Sequence, residues 1–322
     1  MAVFTPLSPA EAALVARAHG LGAVSAITPI PAGRVNSNFF LDTDAGRRFM
    51  RIYEEQEADG VAYEWALLDH LGEAGLPVPA RVAGPAPGAV RVAGKPVALF
   101  ELVGGEMSCQ AGVSKARARA LGGFLARCHA AAAGFGWRRR SRFDLGRVAE
   151  RLAGVPREGE LEPVVGRLGA VLAEVREGWP VGLPRGPVHG DLFRDNVHWE
   201  GDAIVAAIDW ESAADGLFAY DLAVTILAWC FGDAFEWGLA AALVDGYEAI
   251  RPLEAREAAE LRRMLLAAAA RFTVTRITDF HLREGVGERV HKDYRRFLAR
   301  LEALAAHDAA ALAARLGVAV AG

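Results

Sequence analysis

The chain has 322 residues, 52% of them apolar and 24% charged, a composition that excludes wholesale disorder and suggests about two domains at roughly 150 residues each. Lys and Arg number 36 against 40 Asp and Glu, for a net charge of −4, which argues against a nucleic-acid binder. No run reaches the ~18 apolar residues of a membrane span, and the N-terminus lacks the basic and apolar pattern of a signal peptide. Cys109, Cys128 and Cys230 are too scattered for a disulfide framework or zinc site and fit a cytoplasmic protein that touches neither membrane nor nucleic acid.

Ser8-Pro9-Ala10-Glu11 reads as a capped helix start, and the helix should stop near Gly20. Strands are expected at 24–30, 38–43 and 47–53, the last two joined by Asp44-Ala45-Gly46 as a hairpin. A helix over 60–73 follows from Trp65, Leu68 and Leu71 at helical spacing, with Gly75 as its stop. Pro77 and Pro79 hold 76–79 extended. Two further strands fit 89–92 and 96–102. Val103-Gly104-Gly105 is the best linker. Beyond it the pattern is helical: 114–132, 160–177, 220–230, 234–250, 254–279 and 293–306. One island, 187–209, breaks the run as a loop followed by two short apolar strands around Gly201-Asp202.

That island carries the chemistry. His189-Gly190-Asp191-Leu192-Phe193-Arg194-Asp195-Asn196 has the H-x-D-x-x-x-x-N spacing of a kinase catalytic loop. One carboxylate must meet the attacking hydroxyl, an amide oxygen five residues later must turn back to a magnesium ion, and a second ligand should end a nearby strand. Asp209 closes the apolar run 204–208. Two oxygen ligands and the phosphates suffice for magnesium, which keeps several waters.

The loop, with Ile208-Asp209-Trp210 and Tyr220-Asp221-Leu222-Ala223, resembles the aminoglycoside phosphotransferase and choline kinase superfamily of protein-kinase-like fold. Within it, 188–197, 33–40, 76–79, 98–104, Arg271-Phe272 with Arg276, and 292–301 are most similar to the homoserine kinases of this fold. The resemblance implies an α+β, bilobal protein: an antiparallel-sheet nucleotide-binding lobe (1–102), a hinge (103–105) and a mainly helical catalytic and substrate-binding lobe (106–322). It implies ATP and Mg²⁺ as cofactors and transfer of a phosphoryl group to the hydroxyl of a small acceptor bearing an amine. Asp191 matches the catalytic base, Asn196 and Asp209 the metal ligands, and His189 and Asp221 supports of the loop. Gly33, Asn36, Ser37 and Asn38 match the turn covering the nucleotide. Arg51 matches the phosphate anchor, with Glu64 as its helix partner, and Glu101 and Val103 the segment that holds adenine. For a zwitterionic acceptor such as homoserine, Glu211, Arg271 and Arg276 are candidates.

Other readings stay open. Arg51 and Glu64 also fit an ordinary ion pair, and Asp221 a helix cap. The basic run Arg138, Arg139, Arg140 and Arg142 reads as solvated surface, or as an attractor of anionic substrate. Trp199, Trp210, Trp229 and Trp237 are core by default; facing a pocket, they would instead cage a quaternary ammonium. The acceptor is therefore homoserine, or else choline, ethanolamine, an aminoglycoside or another amino alcohol. A nucleotide-binding module without turnover is the non-enzymatic alternative. Neither a P-loop nor a protein-kinase activation segment ending in Ala-Pro-Glu is present.

Overall fold

The computed structural model describes residues 4–31, 35–283 and 292–319. They fall into two compact units: 4–31, 35–105 and 205–211 in the first, and 106–204, 212–283 and 292–319 in the second. The return of 205–211 to the first unit is a property of the folded chain that no linear division contains.

The first unit opens with helix α1 (Pro9–Ala18). Ser8 Oγ accepts the Glu11 N–H and Glu11 in turn accepts the Ser8 N–H, the reciprocal cap that the sequence spells. Strands β1 (Val24–Ile30), β2 (Ser37–Thr43) and β3 (Gly46–Ile52) follow as an antiparallel meander. Gly46 closes the β2–β3 turn at φ 98°, a conformation that suits glycine. Helix α2 (Ala58–Glu73) buries Val61, Trp65, Leu68 and Leu71, the apolar stripe of its 3.6-residue period. Strands β4 (Arg91–Val92) and β5 (Lys95–Phe100) complete a sheet of order β1-β2-β3-β5-β4. Leu41, Met50, Ile52, Val97 and Leu99 from this sheet join Ala12, Val15 and Ala16 of α1 in one core. Each large side chain buried there is worth about 1.5–3 kcal/mol. β5 stops short of the expected residue 102 because the Glu101 N–H turns to the Ala80 carbonyl at 2.9 Å. β4 is shorter than expected and precedes the tight turn at Ala93 and Gly94, where φ is 49° and 78°.

The second unit is largely helical. Strand β6 (Glu106–Met107) precedes α3 (Lys115–Ala132), capped by Ser114. Helices α4 (Leu145–Ala153) and α5 (Leu161–Glu177) lead to β7 (Arg185–Val188), β8 (Val197–Glu200) and β9 (Ala203–Ala207). After β10 (Ala214–Leu217) come α6 (Phe218–Trp229), α7 (Trp237–Glu248), α8 (Ala255–Asp279), α9 (Arg295–Ala305) and α10 (Ala309–Leu316). β7 pairs antiparallel with β10, and β6 with β8. Helix α8 is central, with α4, α5, α6, α9 and α10 packed on it. Helices α3 and α7 cross so closely that a Cβ on Gly122 would lie 1.9 Å from the Leu243 carbonyl oxygen, and one on Gly246 2.0 Å from that of Arg119.

Helices α4 and α10 and strands β7 and β10 were not expected from the sequence. α4 buries only Val148 and Leu152, too few positions for a period to show, and its legible signal is the Asp144 cap. α10 lies in an alanine-rich stretch and is bounded by Asp308 and by Gly317 at φ 73°. β10 contains Asp215 and Gly216 and extends because a remote partner supplies its ladder, an effect that overrides local propensity.

Candidate active site

In the second unit, β7 delivers the chain to His189 and Gly190, and Gly190 turns it at φ 72°. The turn is held from below by Asp221 in the first turn of α6, fully buried. Its carboxylate accepts the backbone N–H groups of His189 (2.9 Å) and Gly190 (2.8 Å) and His129 Nε2 at 3.1 Å. Burial alone would raise the Asp221 pKa. The His129 hydrogen bond, the nearby His129 and His189 and the Gly190 N–H outweigh it and hold the carboxyl below its ordinary value.

Because Asp221 can only accept, His129 carries its proton on Nε2. Nδ1 then accepts from the Tyr247 hydroxyl (2.7 Å), and Tyr247 accepts from Arg251 at 3.0 Å. Arg251 also pairs with Glu257 at 3.0 Å. Burial pushes the His129 imidazole below its usual pKa, against the pull of Asp221. The sequence reading missed His129 and Tyr247. The available signal was a histidine amid the buried face of α3, which alone does not point to a partner.

Above this support the loop closes on itself. The Asp191 carbonyl accepts the Phe193 N–H at 2.7 Å and Asn196 Nδ2 at 2.8 Å. With its nitrogen so engaged, the Asn196 amide keeps Oδ1, the hard oxygen ligand, for another partner. The Asp191 carboxylate is 29% exposed, reachable by a substrate hydroxyl. His189 Nδ1 accepts the Asp191 N–H at 3.3 Å, and His189 is buried. Arg271 on α8 lies beside Asp191, Nη1 3.7 Å from its Oδ1. Arg276, five residues on, donates to the Asp293 carbonyl at 3.0 Å and covers the Phe297 ring.

The first unit gathers the nucleotide candidates. Arg51 on β3 meets Asp209 Oδ1 at 3.0 Å and Glu64 Oε1 at 3.8 Å, and Asn38, its cross-strand partner, accepts from Arg51 Nε at 3.3 Å. Burial would lower the Arg51 pKa, but Asp209, Glu211 and Glu64 together raise it. Glu64 is pushed up to about 7, chiefly by burial and against the pull of Arg51. Asp209 sits at φ 68°, rare for a residue with a Cβ and a form of strain that clusters at functional sites. Asn36 donates to the buried Glu211 carboxylate and accepts the Glu54 N–H at 3.1 Å. The Ser37 hydroxyl accepts the N–H groups of Phe4 and Thr5, both at 2.9 Å, and donates to Glu54. It thus ties the N-terminal segment to β2. Glu101 pairs through its side chain with Arg48 at 3.2 Å, which leaves only backbone groups of 101–103, Val103 included, for a base. Gly33 lies outside the described residues.

The remaining candidates resolve into structure. Arg138 pairs with Asp215, and Arg140 with Asp144, as a surface run would. Arg142 departs from it and lies over the Phe143 ring. Trp199 and Trp229 pack edge to face in the core, and Trp210 and Trp229 donate to carbonyls. Trp237 stacks on Phe235, so these side chains form no ammonium cage.

A sheet unit with a buried basic anchor and a helical unit with a braced H-x-D-x-x-x-x-N loop define a protein-kinase-like phosphotransferase. The chain belongs to the phosphotransferase enzyme family, whose model matches residues 26–259. It is 37% identical over 288 residues to the homoserine kinase of Methylobacterium radiotolerans, and 37% identical over 286 to that of Methylocella silvestris. Each match covers 87% of this chain and 88% of the relative. Among solved structures, an amicoumacin kinase in complex with AMP-PNP and Ca²⁺ superposes with a TM-score of 0.71 at 16% identity, covering 92% of this chain and 93% of its own. A microcompartment-associated aminopropanol kinase gives 0.62 at 17%, covering 94% and 96%. The fold class expected from the sequence is the one observed, and the chain is a phosphotransferase acting on a hydroxyl group.

Proposed function

We propose that the chain is an ATP- and Mg²⁺-dependent homoserine kinase, transferring the γ-phosphoryl group of ATP to the side-chain hydroxyl of L-homoserine. The observation that carries the acceptor is the 34–37% identity to homoserine kinases over 87% of the chain. The chemistry rests on the braced loop: Asp191 orients the hydroxyl and accepts its proton as the oxygen attacks phosphorus, and ADP leaves in line. The donors Asn196 Oδ1 and the Asp209 carboxylate are hard oxygens of the kind magnesium prefers, and the fixed amide of Asn196 favours that role. Mg²⁺ bound by these donors would supply charge neutralisation on the phosphates. Arg51, kept charged by its carboxylate neighbours, anchors phosphate oxygens, with Glu64 holding its guanidinium. Asn36, Ser37 and Asn38 cover the nucleotide, and the backbone at 101–103 meets the adenine.

The test is a coupled ADP-release assay over homoserine, serine, choline, ethanolamine and an aminoglycoside. Homoserine should exceed every other acceptor in kcat/KM by at least about tenfold. A higher value for choline or the aminoglycoside would replace the acceptor, and ATP binding with no turnover on any acceptor would replace the enzymatic reading.

A further inference from the structure

Between Asp191 and Asn196 the spacing H-x-D-x-x-x-x-N leaves four positions without a role. One of them, Arg194, is a half-buried cation inside the loop. Its Nη1 donates to the Ala228 carbonyl at 2.9 Å and to the side-chain oxygen of Gln110. Neither acceptor carries a formal charge. Ala228 stands in the last turn of α6, where helix carbonyls lack an intrahelical donor and the helix dipole favours a cation.

Gln110 is fixed in one orientation by what surrounds it. A guanidinium can only donate and a carboxylate can only accept. The amide therefore turns Oε1 to Arg194 and Nε2 to Glu236 Oε1 at 2.7 Å, and the same Nε2 reaches the Trp229 carbonyl at 3.4 Å. The amide dipole lies between a cation and an anion, and each strengthens its bond to the other.

Helix α6 thereby grips the loop from both of its ends. In its first turn Asp221 accepts the N–H groups of His189 and Gly190. At its far end Trp229 Nε1 donates to the Leu192 carbonyl at 2.8 Å, and Ala228 accepts from Arg194. The Phe193 ring packs on Phe272 and Phe297, an apolar contact that sets the depth of the loop without giving it a direction. The short turn Arg194–Asn196 then delivers Asn196, whose backbone and side-chain nitrogens bond inward to the Phe193 and Asp191 carbonyls.

We infer that Arg194 is a positioning residue for Asn196: clamped to Ala228 and Gln110, it sets where the Asn196 Oδ1 is presented to a divalent cation. The inference rests on the metal role proposed for Asn196 and deepens it. Asp221 supports the Asp191 end of the loop, and Arg194 supports the Asn196 end.

Three variants test this. Arg194→Met keeps the stem and removes the donors, Arg194→Lys keeps the charge and one point of attachment, and Gln110→Met removes the outer anchor from outside the loop. Each is measured for Mg²⁺-dependent ATP binding by calorimetry, for the Mg²⁺ concentration at half-maximal kcat and for the KM of homoserine, with circular dichroism to follow folding. Arg194→Met should weaken Mg²⁺-dependent ATP binding and raise the half-saturating Mg²⁺ by about 10- to 100-fold, the range for losing a group that orients a metal ligand. The KM of homoserine should change less than about threefold. Arg194→Lys and Gln110→Met should fall between, and Arg194→Met combined with Gln110→Met should be no worse than Arg194→Met alone, because the two act as one chain. An unaltered Mg²⁺ requirement overturns the inference, even where kcat falls, since Arg194 would then be a prop of the fold. Should Arg194→Met not fold, Gln110→Met decides: a rise in half-saturating Mg²⁺ of about threefold or more supports the clamp, and none overturns it. Asn196→Ala separates this failure from that of the underlying reading. A Mg²⁺ requirement disturbed in Asn196→Ala but intact in Arg194→Met removes Arg194 alone, whereas a wild-type requirement in Asn196→Ala removes Asn196 from the metal and the inference with it.

Discussion

A single carboxylate in the loop is asked to do two things: receive a proton and stay reachable. Asp191 meets both conditions because its backbone carbonyl, not its side chain, takes the internal hydrogen bonds of Phe193 and Asn196. Asp191→Asn keeps the shape and removes the base. Its kcat should fall by roughly 10²- to 10⁴-fold, while the Kd for Mg·ATP measured by calorimetry changes less than about threefold. Near-normal turnover would show that the hydroxyl loses its proton elsewhere. Spacing marks Asp191, Asn196 and Asp209 as candidates, because the proposed chemistry would impose that spacing on the chain itself. His129 was illegible, since it depends on partners far along the chain, Asp221 and Tyr247.

Three helices meet at the loop support: α3 brings His129, α6 Asp221 and α7 Tyr247. The folded imidazole resists protonation, whereas the unfolded one protonates near 6.5. Its share of stability is thus present above that pH and lost as the pH falls through it. Asp221, with a pKa below the ordinary 3.8, adds a loss only in stronger acid. Urea unfolding should show a midpoint that falls between pH 7 and 5. His129→Gln should be less stable at pH 7.5 by about 1–3 kcal/mol, the cost of a broken buried hydrogen bond, with a flatter pH slope. An unchanged slope would place the acid sensitivity on another group. The crossing of α3 and α7 makes a second demand. Gly122→Ala puts a methyl group into the Leu243 carbonyl, and overpacking of this kind should cost about 1–3 kcal/mol in the same measurement. A neutral effect would mean that the helices separate without penalty. The capping box of α1 and the apolar stripe of α2 were legible because both are local patterns. Strand β10 was not, because β7 supplies its hydrogen bonds.

At the scale of the whole chain, the proposed function assigns the nucleotide anchor to the first unit and the base to the second, and the two should be separable by mutation. Asp209→Ala should abolish Mg²⁺-dependent ATP binding in calorimetry while the protein stays folded by circular dichroism. Unaltered Mg·ATP affinity would remove Asp209 from the metal.

The sequence alone determined the class of chemistry, the loop proposed to perform it and most of the helices and sheet strands, because motif spacing, helical period and turn residues are written along the chain. Only the tertiary structure decided that 205–211 joins the sheet unit, that Asp221 is held by a histidine which a tyrosine of a third helix holds in turn, and that a buried arginine lies beside Asp191. Those facts arise where segments distant in sequence are forced to share volume, and burial then makes every unpaired charge and every close contact count.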